Sequence, residues 1–300
     1  MRSRDVVPQQ RGLFEIDSPL HGKVRGERSV MDFPFFSLAK IPVMEPAEYR
    51  LDGVTIEIQP SRTGIATMYD KEIILYVASL MVEKAAAGQP LTPDFTFTAH
   101  DFFRITGVDR PSMRDYARFT DALARLQGTQ IKTNIKTGKM GTRGWFSWLA
   151  EAHVNYRETP SGGEQLDHVK VRLCEWLFRA IERDQRIYSY HHDYFKLGTV
   201  ERRIYEIAHC HCEADEYSVP LERFAMQIGT SSPARSLKTT LKKIQAESRL
   251  PEYEIELSEV IPAEPQLDTR GRRIGKPETI VTLRPRPGGR RTKTLNLLAA

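Results

Sequence analysis

His209-Cys210-His211-Cys212, with His191 and His192 upstream, is the grouping whose residue types come nearest to a metal site. Structural zinc takes ligand pairs two to four residues apart, whereas neighbours on a helix point to different sides. The cluster continues the apolar period of Ile204 and Ile207, so it reads as a helix end with buried cysteines. Metal-assisted strand cleavage with Tyr188, Tyr190 or Tyr194 as nucleophile would need the His-Cys-His triplet on a strand beside a carboxylate, and the period argues against it. Gly271-Arg272-Arg273-Ile274-Gly275-Lys276-Pro277 has one residue too few between its glycines for a phosphate loop and ends in Pro where Ser or Thr is required. Glu252, Glu254 and Glu256 alternate along a strand, where solvation explains them. No catalytic residue, metal ligand or cofactor is expected.

Charge carries more information. The 300 residues hold 44 Lys and Arg against 39 Asp and Glu, a net +5. From Ser232 onward 14 cations face 8 anions, so the excess lies at the C-terminal end, where it would attract a polyanion. Within that region Leu237, Leu241 and Ile244 recur at helical spacing, which leaves Arg235, Lys238, Thr239, Lys242 and Lys243 on or beside the opposite face. Ser231 and Ser232 precede this helix, at a positively polarised terminus suited to phosphate. Arg270, Arg272, Arg273 and Lys276 lie on a glycine-spaced loop that could follow a phosphate run or enter a minor groove. Together they form a candidate surface for double-stranded DNA, with the helix in the major groove.

The elements that must position these residues follow from pattern. Residues 1–30 are polar and read as a flexible arm. Asp32 to Phe36 is extended, and Tyr49 to Ile58 forms a hairpin turning at Asp52-Gly53. A helix capped by Thr67 and Asp70 carries Ile73, Ile74, Val77, Leu80 and Met81; a second runs from Thr98 to Ile105 and stops at Gly107; a third follows Ser112 with Phe119, Leu123 and Leu126 inward. Ile131 to Ile135 and Trp145 to Leu149 are then expected to pair as a hairpin whose tip carries Lys136, Lys139 and Arg143. One further strand, Val169 to Leu173, and a helix, Glu175 to Arg183, complete this part.

The order recurs. Ile204, Ile207 and Ala208 match Ile74, Val77 and Ala78 at an offset of 130 residues, Phe224 and Gly229 match Phe102 and Gly107 at 122, and Leu237, Leu241 and Ile244 match Phe119, Leu123 and Leu126 at 118. A hairpin of Tyr253 to Leu257 and Ile280 to Leu283 closes the second copy. The expected fold is α+β: two tandem winged-helix domains, each a three-helix unit followed by a β-hairpin wing, over residues 31–187 and 188–284, with a basic mobile tail at 285–300. The second unit is the main reader. In the first, Arg110, Ser112, Arg114 and Arg118 are diluted by Asp109, Asp115 and Asp121, which suits a secondary DNA contact or a self-association surface.

Composition agrees. Hydrophobic residues at 40% and 27 aromatics can fill two cores and exclude a largely disordered chain. No window approaches the ~18 apolar residues of a spanning helix. Three cysteines, and an N-terminus without an apolar export signal, suggest a cytoplasmic protein.

Several blocks in order resemble plasmid replication initiator proteins of the replication initiator protein A (RepA) type, over about residues 31–284. They are Met31-Asp32-Phe33-Pro34-Phe35-Phe36-Ser37-Leu38, Gly64-Ile65-Ala66-Thr67-Met68-Tyr69-Asp70-Lys71-Glu72-Ile73, and Ala122-Leu123-Ala124-Arg125-Leu126-Gln127-Gly128-Thr129 running into Thr133-Asn134-Ile135. Tyr194-Phe195-Lys196-Leu197, Glu201-Arg202-Arg203-Ile204-Tyr205-Glu206-Ile207-Ala208 and Gly229-Thr230-Ser231-Ser232-Pro233 follow. The resemblance implies an initiator that binds repeated origin sites, helps open the duplex, recruits the host initiator and replicative helicase, and represses its own gene. A homodimer is a further expected state. The chain departs from the pattern at Ala208-His209-Cys210-His211-Cys212, where a more basic stretch before one Cys and Gly is expected. The alternatives are a winged-helix transcriptional repressor without a replication role and a metal-dependent rolling-circle nickase.

Overall fold

The computed structural model describes residues 16–160, 162–212, 215–260, 266–267, 273–274 and 277–287. In chain order, β1 (Arg25–Glu27) leads into α1 (Arg28–Asp32), and β2 (Ala47–Leu51) pairs with β3 (Val54–Gln59) around Asp52-Gly53, both at positive φ. Next come α2 (Lys71–Ala86), β4 (Asp94–Phe97), α3 (Ala99–Thr106) and α4 (Met113–Gly128). Then β5 (Gln130–Thr133), β6 (Leu149–Glu158), β7 (Glu164–Leu173), α5 (Glu175–Arg179) and β8 (Ile187–Ser189) complete the first part. The second holds α6 (Thr199–His211), β9 (Tyr217–Pro220), α7 (Leu221–Ile228), α8 (Ala234–Glu247), β10 (Tyr253–Val260), the short pair β11 (Gln266–Leu267) and β12 (Arg273–Ile274), and β13 (Glu278–Pro285).

Local signals explain the helix ends. Thr67 N–H donates to the Asp70 carboxylate at 2.8 Å just before α2, Thr98 accepts from the Asp101 N–H at the start of α3, and Ser112 donates its N–H and hydroxyl to the Asp115 carboxylate at the start of α4. Gly107 and Gly229 close α3 and α7 in the left-handed conformation, at φ +82° and +79°. Helix α2 is buried nearly all round, from Ile73 to Val82, and lies at the centre of the molecule. One apolar core runs from Leu20 to Leu283 through both copies.

The repeat extends further than its helices. In each copy a short strand between the first and second helices joins the closing hairpin, giving sheets ordered β4-β7-β6 and β10-β13-β9, all antiparallel. β4 and β9 carry too few residues to show a period, so the sequence does not announce them.

Four expectations are corrected. The hairpin of the first copy is β6–β7, not Ile131–Ile135 with Trp145–Leu149: β5 pairs with β3, and Ile131–Phe146 is an isolated bridge. The inward Ile131 and Thr133 find β3 as a ready antiparallel partner beside Ile56 and Ile58, before the chain can return on itself. The arm is packed from residue 16 to 30: Leu20 is buried with its N–H on Asp101 at 2.8 Å, and β1 pairs with β8. Residues 1–15 lie outside the described residues. At the other end Arg286 is fixed, its guanidinium donating to Ser248, Leu250 and Tyr253 carbonyls; residues 288–300 lie outside the description. The boundary expected between 187 and 188 falls inside β8.

Candidate nucleic-acid interface

Helix α8 has the expected sidedness. Leu237, Leu241 and Ile244 are 4%, 0% and 5% exposed, while Arg235, Thr239, Lys242 and Lys243 face solvent. Ser231 and Ser232 are exposed before its first turn, where Ser232 N–H donates to Thr230 Oγ1. Thr239 turns its hydroxyl back onto the Arg235 carbonyl at 3.1 Å. Lys243 pairs with Glu247 at 3.7 Å, and Arg235 and Lys242 make no side-chain hydrogen bond or ion pair among the described residues.

Lys238 is a correction. Its ammonium is half-buried and bridges Glu259 of β10 at 2.8 Å and Thr279 of β13 at 2.9 Å. The hydrogen bond and charge of Lys238, with Lys242 adding, hold the Glu259 carboxyl below its ordinary range. Lys238 therefore ties the helix to the hairpin and is not presented outward. Of the loop cations, Arg273 lies in β12, and Arg270, Arg272 and Lys276 lie outside the described residues. The glutamates of β10 are engaged: Glu256 with Arg284, and Glu254 with Arg286.

In the first copy Arg110, Ser112 and Arg114 are exposed at the start of α4, and Arg118 stands 3.9 Å from Asp115. Lys136, Lys139 and Arg143 are exposed too, but on a loop instead of a ribbon tip. That loop turns tightly at Gly138-Lys139, both at positive φ, with Gly138 N–H held by the Asp184 carboxylate at 3.0 Å.

The buried polar network between the copies shows only faintly in the sequence. Lys71 meets Glu206 at 2.6 Å with both side chains about 1% exposed or less, and Tyr190 and Tyr194 each donate to the same carboxylate at 2.9 Å. Burial pushes the Lys71 pKa down, against the pull of Glu206, and pushes both phenols up. Arg202 pairs with Glu72 at 2.6 Å and lies across the Tyr69 and Tyr194 rings. Arg203 donates to the carbonyls of Met31, Asp32 and Gln227. Glu72 and Arg202 are equivalent positions under the 130-residue offset, so opposite charges at matched sites of a repeat were the signal available.

The histidine–cysteine cluster ends α6. His209 Nδ1 bonds Tyr253 OH at 2.7 Å, His211 Nε2 bonds Asp32 at 2.7 Å, and all three cysteines are buried and free. His191, His192 and Asp193 converge on the surface, where Lys196 already holds Asp193 at 2.6 Å.

Two helical trios, each closed by a three-stranded sheet, define a mixed helix–strand protein whose fold is shared with solved structures. The crystal structure of domains 2 and 3 of RctB aligns with a TM-score of 0.56 at 14% identity, covering 85% of this chain and 95% of that one. A second structure of those domains aligns at 0.50 with 12% identity, covering 79% and 90%. The chain belongs to the replication initiator protein A family, which it matches over residues 25–255. It is also 31% identical over 250 residues to a provisionally assigned replication protein of Wigglesworthia glossinidia brevipalpis, covering 81% of this chain and 88% of the relative. Among the described residues no helix is long and apolar enough to cross a membrane.

Proposed function

We propose that this initiator is a non-catalytic, sequence-specific binder of repeated sites at a plasmid origin, built as two tandem winged-helix units. Helix α8 enters the major groove, and the β10–β13 hairpin is the wing beside it. One observation carries the reading: α8 buries Leu237, Leu241 and Ile244 and holds Arg235, Lys242 and Lys243 outward. The helix N-terminus with Ser231 and Ser232 receives a phosphate, and Arg270, Arg272, Arg273 and Lys276 extend the contact along the backbone. The first unit adds a weaker contact through Arg110, Ser112, Arg114 and Arg118. Opening the duplex, recruiting the host initiator and replicative helicase, and forming a homodimer belong to the same proposal, on the strength of the family.

Binding rather than nicking is supported by the tyrosines, since Tyr188, Tyr190 and Tyr194 are buried, the last two on Glu206. Footprinting on DNA flanking the encoding gene should locate sites bound about 1,000-fold or more tighter than random duplex. The Lys242→Ala, Lys243→Ala variant should lower the slope of log affinity against log salt by about two. An unchanged slope overturns the assignment of this face.

A further inference from the structure

The stretch from Gln130 to Ala150 holds Lys132, Lys136, Lys139 and Arg143 and no carboxylate, yet it is not the wing the sequence suggests. The Ile131–Phe146 bridge sets Lys132 opposite Trp145 on the solvent side of the β2-β3-β5 sheet. The Lys132 ammonium lies 5.7 Å from the indole centre and is steadied by Glu57 at 2.9 Å. Trp145 is 43% exposed, whereas Trp148 and Trp176 are 0% and 1% exposed. Gly144, at φ +116° with open space where a Cβ would stand, turns the chain beside it, and Arg143 is exposed next in line. The Asp184 clamp on Gly138 fixes the loop that carries Lys136 and Lys139.

An accessible indole set among cations is what an unpaired strand requires: a base stacks on the ring while phosphates follow the charges. In a duplex each base already stacks on its neighbours, so no base face is available to Trp145. The geometry points to a binding site for single-stranded nucleic acid formed by Trp145, Lys132, Lys136, Lys139 and Arg143, separate from α8. This deepens the proposed function, resting on it for the setting, since an initiator that opens a duplex must meet the strand it releases.

The full-length protein supplies its own probe, because the other two of its three tryptophans are buried. A short oligothymidine should quench tryptophan emission saturably and protect it from iodide, while a duplex of equal length should not. Trp145→Ala should weaken oligothymidine binding about tenfold or more, with Trp145→Phe within about threefold of the parent. Thermal unfolding of the Ala variant separates a lost site from a lost fold. Lys242→Ala with Lys243→Ala should leave oligothymidine binding unchanged while weakening duplex binding, so the two surfaces fail independently. Emission indifferent to oligothymidine, equal losses on single strand and duplex for Trp145→Ala, or an emission change produced by protein concentration alone would each overturn the site, the last marking a face covered by a second copy.

Discussion

Asp70, Lys71 and Glu72 stand side by side and face three different partners: Asp70 takes Arg125 with two bonds of 2.8 Å, Lys71 takes Glu206, and Glu72 takes Arg202. The sequence shows these charges but not their destinations, because two of the partners lie 130 residues or more away along the chain. Glu27 is a similar case, hidden in a stretch that reads as a polar arm. Burial raises its carboxyl to about 7, against the pull of Arg186 and the Ser29 N–H. The folded chain therefore holds this proton more tightly than the unfolded one, whose group sits near 4.5. Stability from this site is full below about pH 4.5 and is lost as pH rises through about 7, by up to ~3 kcal/mol. Glu27→Gln should consequently unfold at higher urea than the parent at pH 8 and alike at pH 4.5, in denaturation curves taken at both. Glu72, raised to about 6 by its own burial, acts in the same direction and remains in the variant.

At the scale of elements, legibility followed length and amphipathicity. The third helix of each copy shows three inward residues at helical spacing, and both form as expected; strands of four residues, β4 and β9, carry no such signal. The β6–β7 ribbon was missed because its strands run beyond the core with mixed polarity, leaving only Val169, Val171 and Leu173 to show alternation. The α8 surface was legible residue by residue, but Lys238 was not, because its acceptors sit on β10 and β13. The turn before α8 provides a matched test. Gly107 and Gly229 share the left-handed conformation, but a Cβ on Gly107 meets open space and one on Gly229 collides with Pro34. Gly107→Ala should cost ~1–2 kcal/mol, the left-handed penalty alone, and Gly229→Ala at least about 1 kcal/mol more. Urea unfolding of the two variants checks this, and equal losses would mean that Pro34 yields.

The two copies are joined through a shared core rather than by a linker. Lys71, Glu206 and the two tyrosines lie inside a core continuous through both copies, so the copies are expected to unfold as one. All three tryptophans lie before residue 187, whereas helices are spread over the chain. Tryptophan emission and far-ultraviolet dichroism should therefore trace one coincident transition. Lys71→Met, which takes the nearer cation from Glu206 and leaves it Arg203 at 3.6 Å and the two phenols, should move both traces together by about 1–3 kcal/mol, and separated midpoints would show the copies to be independent.

The Lys238 bridge bears on geometry. It pins helix α8 to both strands of the ribbon at once, so the distance between the two is built into the fold like the jaws of a fixed caliper. On the proposed duplex such an instrument measures as well as reads. An extra base pair between the stretch under the helix and the stretch under the ribbon would leave the jaws out of phase by a tenth of a turn. The DNA, not the protein, would then have to twist to fit.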